Sequence, residues 1–388
     1  MNKVHNAMTW AADSRTAGRE LGKAFTDAFG GDAPNAIVVF ASAKHDYSVL
    51  LDALADAAGT ETIAGASSAG EFTQNGRGEG IVSAMAIRSD EMQFALATAR
   101  DIAADPGRAA ASMIGSFKGT AGNWARHRSA LVMTDALAGH TDALVEELTV
   151  RTGGNYRFFG GGAGDDGRFE KTHVFAGREA FANGAVALEI LSSKPVGIGV
   201  SHGWEPIGEP LRVTEADGAT LVSLNGAPAV EAFKDHAERS GQSFDLAGPL
   251  PFLLHNVLGI KSHEGYRLRV PLAVADDGAI TCAAAIPEGA IVHIMQTSER
   301  SAVMAARQAT RSALAALDGH TPAGAFVFDC VATRLRLGRA FEDELAACAS
   351  ELGPGGFVGC NTYGQIARAE GQFGGFHNCT AVVCVLPQ

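Results

Sequence analysis

The chain has 388 residues, which is beyond the size at which one hydrophobic core keeps growing, so we expect two or three structural units. Hydrophobic residues make up 46% and charged residues 19%, a balance that argues against general disorder. The net charge is −12 and no run of Lys or Arg occurs, which argues against nucleic acid or a membrane surface as a partner. Because the sequence has neither a signal-peptide pattern nor 18 uninterrupted apolar residues, we expect a cytoplasmic protein.

The predicted elements repeat one unit three times along the chain. Each unit begins with an apolar run typical of a buried strand and continues with an amphipathic helical pattern. The three runs are Ala36–Ser42, Ala130–Ala136 and Ala325–Cys330. Each helix leads into a Gly-rich turn, and each unit closes with another apolar strand. The turns are Ile63–Phe72, Phe158–Gly167 and Phe357–Ile366, and the closing strands are Ile81–Ile87, Asn183–Leu191 and Asn378–Leu386. The sequence therefore predicts an internal repeat.

The first and third turns align without gaps. The aligned pairs are Gly65 with Gly359, Ser67 with Asn361, Ser68 with Thr362, Gly70 with Gly364, and Glu71 with Gln365. Glycine at both ends of such a turn allows positive φ and a close backbone approach, while Ser, Thr and Asn bond to nearby amides or to a ligand. The pattern leaves two readings open, a stabilised strand-end turn and one wall of a ligand site.

A different region separates the second and third units, roughly residues 195–324. Three alternating segments divided by Asp-Asp-Gly and Pro-Glu-Gly predict a β-meander: Tyr266–Ala275, Ala279–Ile286 and Ala290–Gln296. Ser298 is a predicted N-cap for a long helix that ends near Gly319. The predicted fold class is α+β (mixed α/β), with three repeats forming mixed sheets covered by helices and a β-meander insertion.

The sequence offers little evidence of a catalytic motif. It contains no Walker or HExxH pattern, and "GASSAGE" gives only a weak serine-nucleophile hypothesis. All six cysteines lie in the last third of the chain without a CxxC pair, so we expect buried reduced thiols. No HxH or HxxxH spacing suggests a zinc site. His255, within "LPFLLHNVLGI", is a single histidine in apolar surroundings, which suits either a core histidine or the ligand of a b-type haem.

These segments together resemble the FIST family of intracellular signal-transduction sensors nearly end to end. The resemblance is carried by "GASSAGEF", "FFGGGAGDDGRFEKTHVF", "GVSHGWEPIGEPLRVTEADG", "YRLRVPLAVADDGAI", "GCNTYGQI" and "FHNCTAVV". It implies a FIST N-terminal region over residues 1–194 and a FIST C-terminal region over residues 195–388. In one departure, Gly364–Gln365 stands where the family commonly has Gly-Glu.

The resemblance implies a non-catalytic sensor, and a chain of this layout is similar to the haem-binding nitric-oxide sensors of the family. Such a protein would regulate a partner histidine kinase or cyclic-di-GMP enzyme in a two-component system, and the layout is compatible with a homodimer. Haem b would then be bound through its iron to an axial histidine. Local hydrophobicity favours His255, with His202 and His293 as alternatives.

Two other functions stay open. One is a sensor without haem for a small metabolite such as an amino acid, whose carboxylate Arg269 could bind. Its remaining pocket candidates are the polar residues of the first and third units: Ser67, Ser68, Glu71, Asn361, Thr362 and Asn378. The other is a hydrolase that uses a serine or cysteine of a Gly-rich turn as its nucleophile.

Overall fold

The computed structural model describes residues 2–120, 125–262, 265–368 and 375–388. The first repeat comprises β1 (Lys3–Thr9), α1 (Ser14–Ala28), β2 (Ala36–Ala41), α2 (Tyr47–Ala58), β3 (Ile63–Ser67), β4 (Glu71–Thr73), β5 (Gly76–Gly78) and β6 (Val82–Arg88). The second comprises β7 (Gln93–Arg100), α3 (Pro106–Gly115), β8 (His127–Thr134), a 3₁₀ turn (Ala136–Ala138), α4 (Thr141–Arg151), β9 (Arg157–Gly162), β10 (Val174–Ala176), β11 (Glu179–Phe181) and β12 (Gly184–Ser192).

The third repeat is interrupted by an insertion. It begins with β13 (Gly197–Ser201). The insertion comprises β14 (Trp204–Asp217), β15 (Thr220–Leu224), β16 (Ala227–Pro228), α5 (Ala229–Ser240), α6 (Leu250–Leu253), β17 (Val257–Ser262), β18 (Gly265–Arg269), β19 (Pro271–Val274), β20 (Ile280–Cys282) and β21 (Ile291–Thr297). The repeat resumes with α7 (Glu299–Ala315), β22 (Pro322–Cys330), α8 (Val331–Leu337), a 3₁₀ turn (Gly338–Ala340), α9 (Phe341–Leu352), a 3₁₀ turn (Gly353–Gly355), β23 (Phe357–Thr362), β24 (Gln365–Ala367), β25 (Phe376–His377) and β26 (Ala381–Pro387).

Each repeat is the centre of a six-stranded mixed sheet. Sheet I has the order β1-β6-β2-β3-β10-β11, sheet II β25-β24-β9-β8-β12-β7, and sheet III β13-β26-β22-β23-β4-β5. In all three, a parallel pair joined through a helix is extended by an antiparallel closing strand. The predicted mixed sheets and the threefold repeat are confirmed, and each repeat also includes the strand and helix that precede the predicted unit.

The repeats exchange strands in a cycle. The strand that follows each Gly-rich turn leaves its own sheet: β4 pairs with β23, β24 pairs with β9, and β10 pairs with β3. The first repeat thus extends the sheet of the third, the third that of the second, and the second that of the first. This topology has cyclic threefold symmetry, and it interlocks the predicted N-terminal and C-terminal regions.

Helices cover the outer faces of the sheets, and the inner faces share a core. The helix pairs α1 with α2, α3 with α4, and α7 with α9 each pack on one sheet. Phe40 of sheet I contacts Phe328 of sheet III edge to face, with ring centroids 5.6 Å apart. Phe159 of sheet II stacks on Phe326 of sheet III at 6.0 Å. Burial of this apolar surface is the main stabilising contribution.

Helix starts follow the local sequence. Asp13, Asp46 and Asp105 cap α1, α2 and α3, and each carboxylate accepts a hydrogen bond from the backbone N–H three residues later. Ser298 caps α7 as predicted, but the helix ends at Ala315, before the expected Gly319. The predicted cysteine state is confirmed, since all six thiols are free and buried.

The β-meander prediction is wrong in its connections. The predicted strand Tyr266–Ala275 divides at Val270 into β18 and β19, which lie at opposite ends of the insertion sheet order β18-β17-β21-β14-β15-β20-β19. The predicted neighbours β20 and β21 do not pair, because β14 and β15 lie between them. Alternation along the sequence indicates that a segment is a strand, but it carries no information about the partner strand.

Candidate functional site

The three Gly-rich turns meet at the point where the strands are exchanged. One N–H of each turn donates to a carbonyl of the next: Ala69 N to Asn361 O at 2.9 Å, Tyr363 N to Gly162 O at 3.0 Å, and Gly164 N to Ser67 O at 2.9 Å. Three bonds run the other way: Asn361 N to Gly70 O at 2.8 Å, Gly162 N to Gly364 O at 2.9 Å, and Ser67 N to His173 O at 2.9 Å. This ring of backbone hydrogen bonds fixes side chains from all three repeats in one place.

In the first and third repeats, the side chain of the first residue of the exchanged strand is hydrogen-bonded to a nearby hydroxyl group. The Ser68 hydroxyl donates to the Glu71 carboxyl, and the Gln365 amide Nε2 donates to Thr362 Oγ1 at 3.0 Å. The predicted alignment of these four residues is therefore confirmed by equivalent contacts. The matching contact of the second repeat is missing, because Ala163 and Val174 occupy those places.

Glu71 is the buried carboxyl of this set. Its side chain is fully buried, and its Oε2 accepts no hydrogen bond from the residues that the structure describes. Burial raises the pKa of Glu71 to about 8, although the hydrogen bond from Ser68 and the charge of Arg334 oppose the shift. The carboxyl is therefore largely protonated at neutral pH.

Glu71 lies on a polar cavity of about 260 Å³ between the first and third repeats. Its lining comes from the β4–β5 hairpin, α8, α9 and the third turn: Gly70, Glu71, Phe72, Arg77, Gly78, Glu79, Arg334, Glu342 and Asn361. Glu79 and Glu342 have side chains about three-quarters and two-thirds exposed, 76% and 67%, so they lie at the mouth of the cavity. Glu71 and Asn361 are buried and form its base.

Two hydrogen-bond donors of the polar cavity have no acceptor in the described part of the chain. Arg334 Nη1 is 3.4 Å from Glu79 Oε1, while its buried Nε has no partner within the described part of the chain. Asn361 Nδ2 is also buried and unpaired there. Arg77 is engaged at the rim by Glu342 and the Gly338 carbonyl. A buried polar group without a hydrogen bond costs about 1–3 kcal/mol, so these atoms are candidates for ligand contacts.

The second turn contributes a different acid. Asp165 accepts hydrogen bonds from the backbone N–H groups of residues 169, 170 and 171 and from the Tyr363 hydroxyl. Burial alone would raise the pKa of Asp165, but these bonds outweigh it and lower the pKa below its usual value. Asp165 therefore shapes the loop between β9 and β10 and ties it to the third turn.

The predicted polar residues fall into two groups. Ser67 and Thr362 support the turns: the Ser67 hydroxyl bonds to the backbone of His173, and the Thr362 hydroxyl donates to the Asp329 carbonyl at 3.3 Å. Glu71 and Asn361 line the polar cavity, and Ser68 supports Glu71. Ser68 is only 1% exposed, a poor setting for the hypothesised nucleophile.

Arg269 and Asn378 lie elsewhere. Arg269 is buried in the insertion and donates to the carbonyls of Ala285 and Leu268 at 2.9 and 2.8 Å, so it is not among the residues lining the polar cavity. Burial lowers the pKa of Arg269 to about 10. Asn378 lines a second, apolar cavity. Arg77 and Arg334 were not predicted from the sequence, because they come from a three-residue strand and a short helix without a recognisable motif.

The three histidines proposed for haem lie in different settings. His255 is exposed, although its neighbours Phe252 and Leu253 are buried. His202 Nε2 lies 3.0 Å from the Tyr266 carbonyl, and its Nδ1 accepts from the Trp204 N–H at 3.3 Å. His293 is buried, its Nδ1 is unpaired within the described ranges, and its ring meets Tyr266 edge to face at 5.4 Å.

For His255 and His202, these settings lack a feature that a haem site needs. The apolar cavity beside Leu254, the neighbour of His255, has a volume of about 110 Å³ and no histidine in its described lining. Pockets for drug-sized ligands measure roughly 300–1,000 Å³, so this cavity is too small for a haem. Both ring nitrogens of His202 are engaged in the hydrogen bonds just described. Haem binding through His255, His202 or His293 stays a prediction.

Two wider searches concern metals and membranes. Across residues 2–120, 125–262, 265–368 and 375–388, no group of three or more His, Cys, Asp or Glu side chains could hold a metal ion. Over the same ranges, none of the helices combines the length and apolar character needed to cross a bilayer.

Comparison with protein families assigns the chain to a class of signal-transduction sensor domains. Residues 35–227 match the FIST N domain and residues 229–368 match the FIST C domain. The chain belongs to the FIST family.

Relatives add no assigned activity. The chain is 25% identical over 260 residues to the uncharacterized proteins MT0656 and Rv0628c of two Mycobacterium tuberculosis strains, covering 66% of this chain and 67% of each relative. Among solved structures, a cyanuric acid hydrolase from A. caulinodans aligns over 99% of both chains with 8% identity and a TM-score of 0.33.

Proposed function

We propose that this FIST protein senses a small zwitterionic metabolite, such as an amino acid, in the polar cavity and relays its presence to a partner histidine kinase or cyclic-di-GMP enzyme. The observation that carries the proposal is that one cavity brings together three buried polar groups with unused hydrogen-bonding atoms: Glu71 Oε2, Asn361 Nδ2 and Arg334 Nε. Buried polar atoms are ordinarily paired, so their clustering supports a ligand.

The three groups match the two ends of an amino acid. Arg334 and Asn361 supply N–H donors for a carboxylate, and hydrogen bonds from a charged donor to a carboxylate are among the stronger ones in proteins. Glu71 holds its proton while the cavity is empty and can release it when an ammonium group arrives, because a nearby positive charge lowers a carboxyl pKa. Binding near neutral pH should therefore release protons.

The position of the cavity supports a signalling response. Glu71 and Arg77 belong to the first repeat, whereas Arg334 and Asn361 belong to the third. A ligand that contacts both sides favours the conformation in which the β4–β5 hairpin and α8 are close together. It shifts the population by as much as its affinities for the open and closed arrangements differ. The partner enzyme would read this shift.

Calorimetry with the twenty amino acids and simple dicarboxylates tests the proposal. We expect at least one amino acid to bind and the dicarboxylates, which lack the ammonium group, not to bind, and we expect Arg334→Met and Asn361→Leu each to weaken amino-acid binding at least tenfold. Arg311→Met is the matched control, because Arg311 is an exposed arginine paired with Glu351, and neither residue belongs to the cavity lining. The proposal is wrong if no compound binds at 10 mM, or if both cavity variants bind as the wild type does.

The haem-based nitric-oxide hypothesis has a separate test. Protein expressed with added haem should show a Soret band that shifts when nitric oxide is added to the reduced form, and His255→Ala should remove it. That result, without amino-acid binding, would replace the metabolite proposal. Absence of the band in protein that binds an amino acid would leave the metabolite proposal in place.

A further inference from the structure

The apolar cavity lies between the threefold core and the insertion. Its walls are mainly aliphatic and include Leu254, Val270 and Leu272 of the insertion and Val331 of α8. Tyr363 and Phe169, which stack with ring centroids 4.3 Å apart, belong to its lining. No charged side chain is among the described residues that line it. An ion would lose its hydration there without compensation, so the cavity selects a neutral molecule.

One polar side chain breaks the apolar lining. Asn378 is 2% exposed, and its Oδ1 is buried and accepts no hydrogen bond from the residues described. The lining also includes the Cys330 thiol and the Tyr363 hydroxyl, which is already engaged by Asp165. An unpaired carboxamide oxygen in apolar surroundings costs about 1–3 kcal/mol, which a hydrogen-bond donor on a ligand would recover.

From these observations we infer that the apolar cavity is a second ligand site, which takes a small neutral molecule with an apolar body and one O–H or N–H donor for Asn378. A dry apolar cavity of about 150 Å³ accepts benzene. The apolar cavity is smaller, about 110 Å³, so its ligand is at most a single ring, and phenol is a ring of that kind with one donor. This inference rests on the apolar cavity and does not depend on the amino-acid proposal; only the coupling through α8, described next, rests on that proposed function.

Helix α8 separates the two cavities. Val331, Ala332 and Leu335 line the apolar cavity, whereas Arg334 of the same helix lines the polar one. A ligand in the apolar cavity that holds α8 in one position also changes the position in which Arg334 contacts a ligand in the polar cavity. Binding at the two sites is then coupled, and the coupling acts equally in both directions.

Phenol is the probe for the test, with benzene and anisole as controls that lack the donor. Binding is followed by titration calorimetry and by the rise in melting temperature of the full chain. We expect wild-type protein to bind phenol at least fivefold more tightly than anisole or benzene. Asn378→Leu keeps the side-chain size without the acceptor, so it should remove the phenol preference and retain benzene binding.

A blocking variant provides an independent control. Ala283 lies at the exposed rim of the cavity, so Ala283→Phe should fold normally and abolish binding of phenol and benzene alike. The inference is overturned if wild-type protein binds none of the probes at 10 mM, if phenol and benzene bind equally, or if Ala283→Phe leaves binding unchanged. If Asn378→Leu does not fold, the comparison of phenol with anisole on the wild type decides the role of the donor.

Discussion

Gly65 of β3 lies against the carbonyl oxygen of Val39 of β2 so closely that a Cβ added to the glycine would stand 1.8 Å from that oxygen. The same relationship occurs in the other two repeats. A Cβ at Gly160 would be 2.1 Å from the Val132 oxygen, and one at Gly359 would be 2.0 Å from the Val327 oxygen. All three contacts are to backbone, which cannot move aside cheaply. The glycine that opens each turn is thus required by the packing of the parallel strand pair.

Replacing any of these glycines by alanine should destabilise the protein strongly. We expect Gly65→Ala and Gly359→Ala each to lower the free energy of unfolding by about 3 kcal/mol or more, because overpacking forces the paired strands apart. Gly115→Ala is the matched control, since no atom lies within 4 Å of its added Cβ and its φ is not positive. Urea denaturation followed by circular dichroism measures the difference, and equal stability of Gly65→Ala and Gly115→Ala would contradict this account.

The repeated unit could be predicted because its signals are local. Apolar runs of six to nine residues, amphipathic helices and Gly-rich turns are visible in a single stretch of sequence. The strand exchange could not be predicted, because β4, β10 and β24 are three residues long and pair with partners distant in the chain. Short strands carry too little periodicity to specify register or partner.

The candidate site shows the same difference between local signals, which the sequence carries, and long-range contacts, which it does not. Glu71 and Asn361 were predicted because they belong to aligned turns, and the structure brings them to one cavity. Arg334 was missed because only the strand exchange places α8 beside the first turn. For His255, hydrophobic neighbours in sequence indicated burial, yet the residue itself is exposed while its neighbours pack inward. Neighbours along an irregular segment do not share an environment.

The protonation of Glu71 makes stability depend on pH. The folded carboxyl keeps its proton to about pH 8, whereas the unfolded carboxyl releases it near 4.5, so the folded state binds more protons between these values. The contribution of Glu71 to the free energy of unfolding therefore falls as pH rises through this window. The decrease is on the order of 4 kcal/mol, since one pKa unit corresponds to about 1.4 kcal/mol.

Glu71→Gln should remove this dependence. As pH rises from 5 to 8, the stability of the variant relative to wild type should increase by several kcal/mol, because the amide has no proton to lose. Urea unfolding at both pH values measures the change. Glu79→Gln is the control, because the Glu79 side chain is largely exposed at the cavity mouth. A Glu71→Gln difference that stays constant with pH would show that Glu71 is ionised in the folded protein.

Asp165→Asn should destabilise the protein at neutral pH. An amide has one acceptor oxygen where the carboxylate has two, so the N–H groups of residues 169–171 and the Tyr363 hydroxyl cannot all be satisfied. We expect a loss of about 2–4 kcal/mol. Because the folded pKa is lowered, the wild-type advantage is present above about pH 4 and disappears as pH falls through the folded pKa. Glu170→Gln, on an exposed neighbour, should cause no loss.

Gln365→Glu should create in the third repeat what Glu71 provides in the first. Gln365 is fully buried, donates to Thr362 Oγ1, and accepts from the Thr380 N–H and hydroxyl at 3.3 and 3.1 Å. A carboxyl there would be buried and would hold its proton well above its ordinary pKa. The variant should therefore lose stability, relative to wild type, as pH rises from 5 to 8.

The double variant Glu71→Gln, Gln365→Glu checks the equivalence of the two positions. If burial at the ring of turns sets both pKa values, the two changes should offset each other and the pH dependence of unfolding should return toward that of the wild type. Gln308→Glu adds the same charge on an exposed face of α7 and should leave the pH dependence unaltered. If Gln365→Glu protein has the pH profile of the wild type, the introduced carboxyl has an ordinary pKa in the folded protein. The first and third repeats would then differ in the access of water to this position.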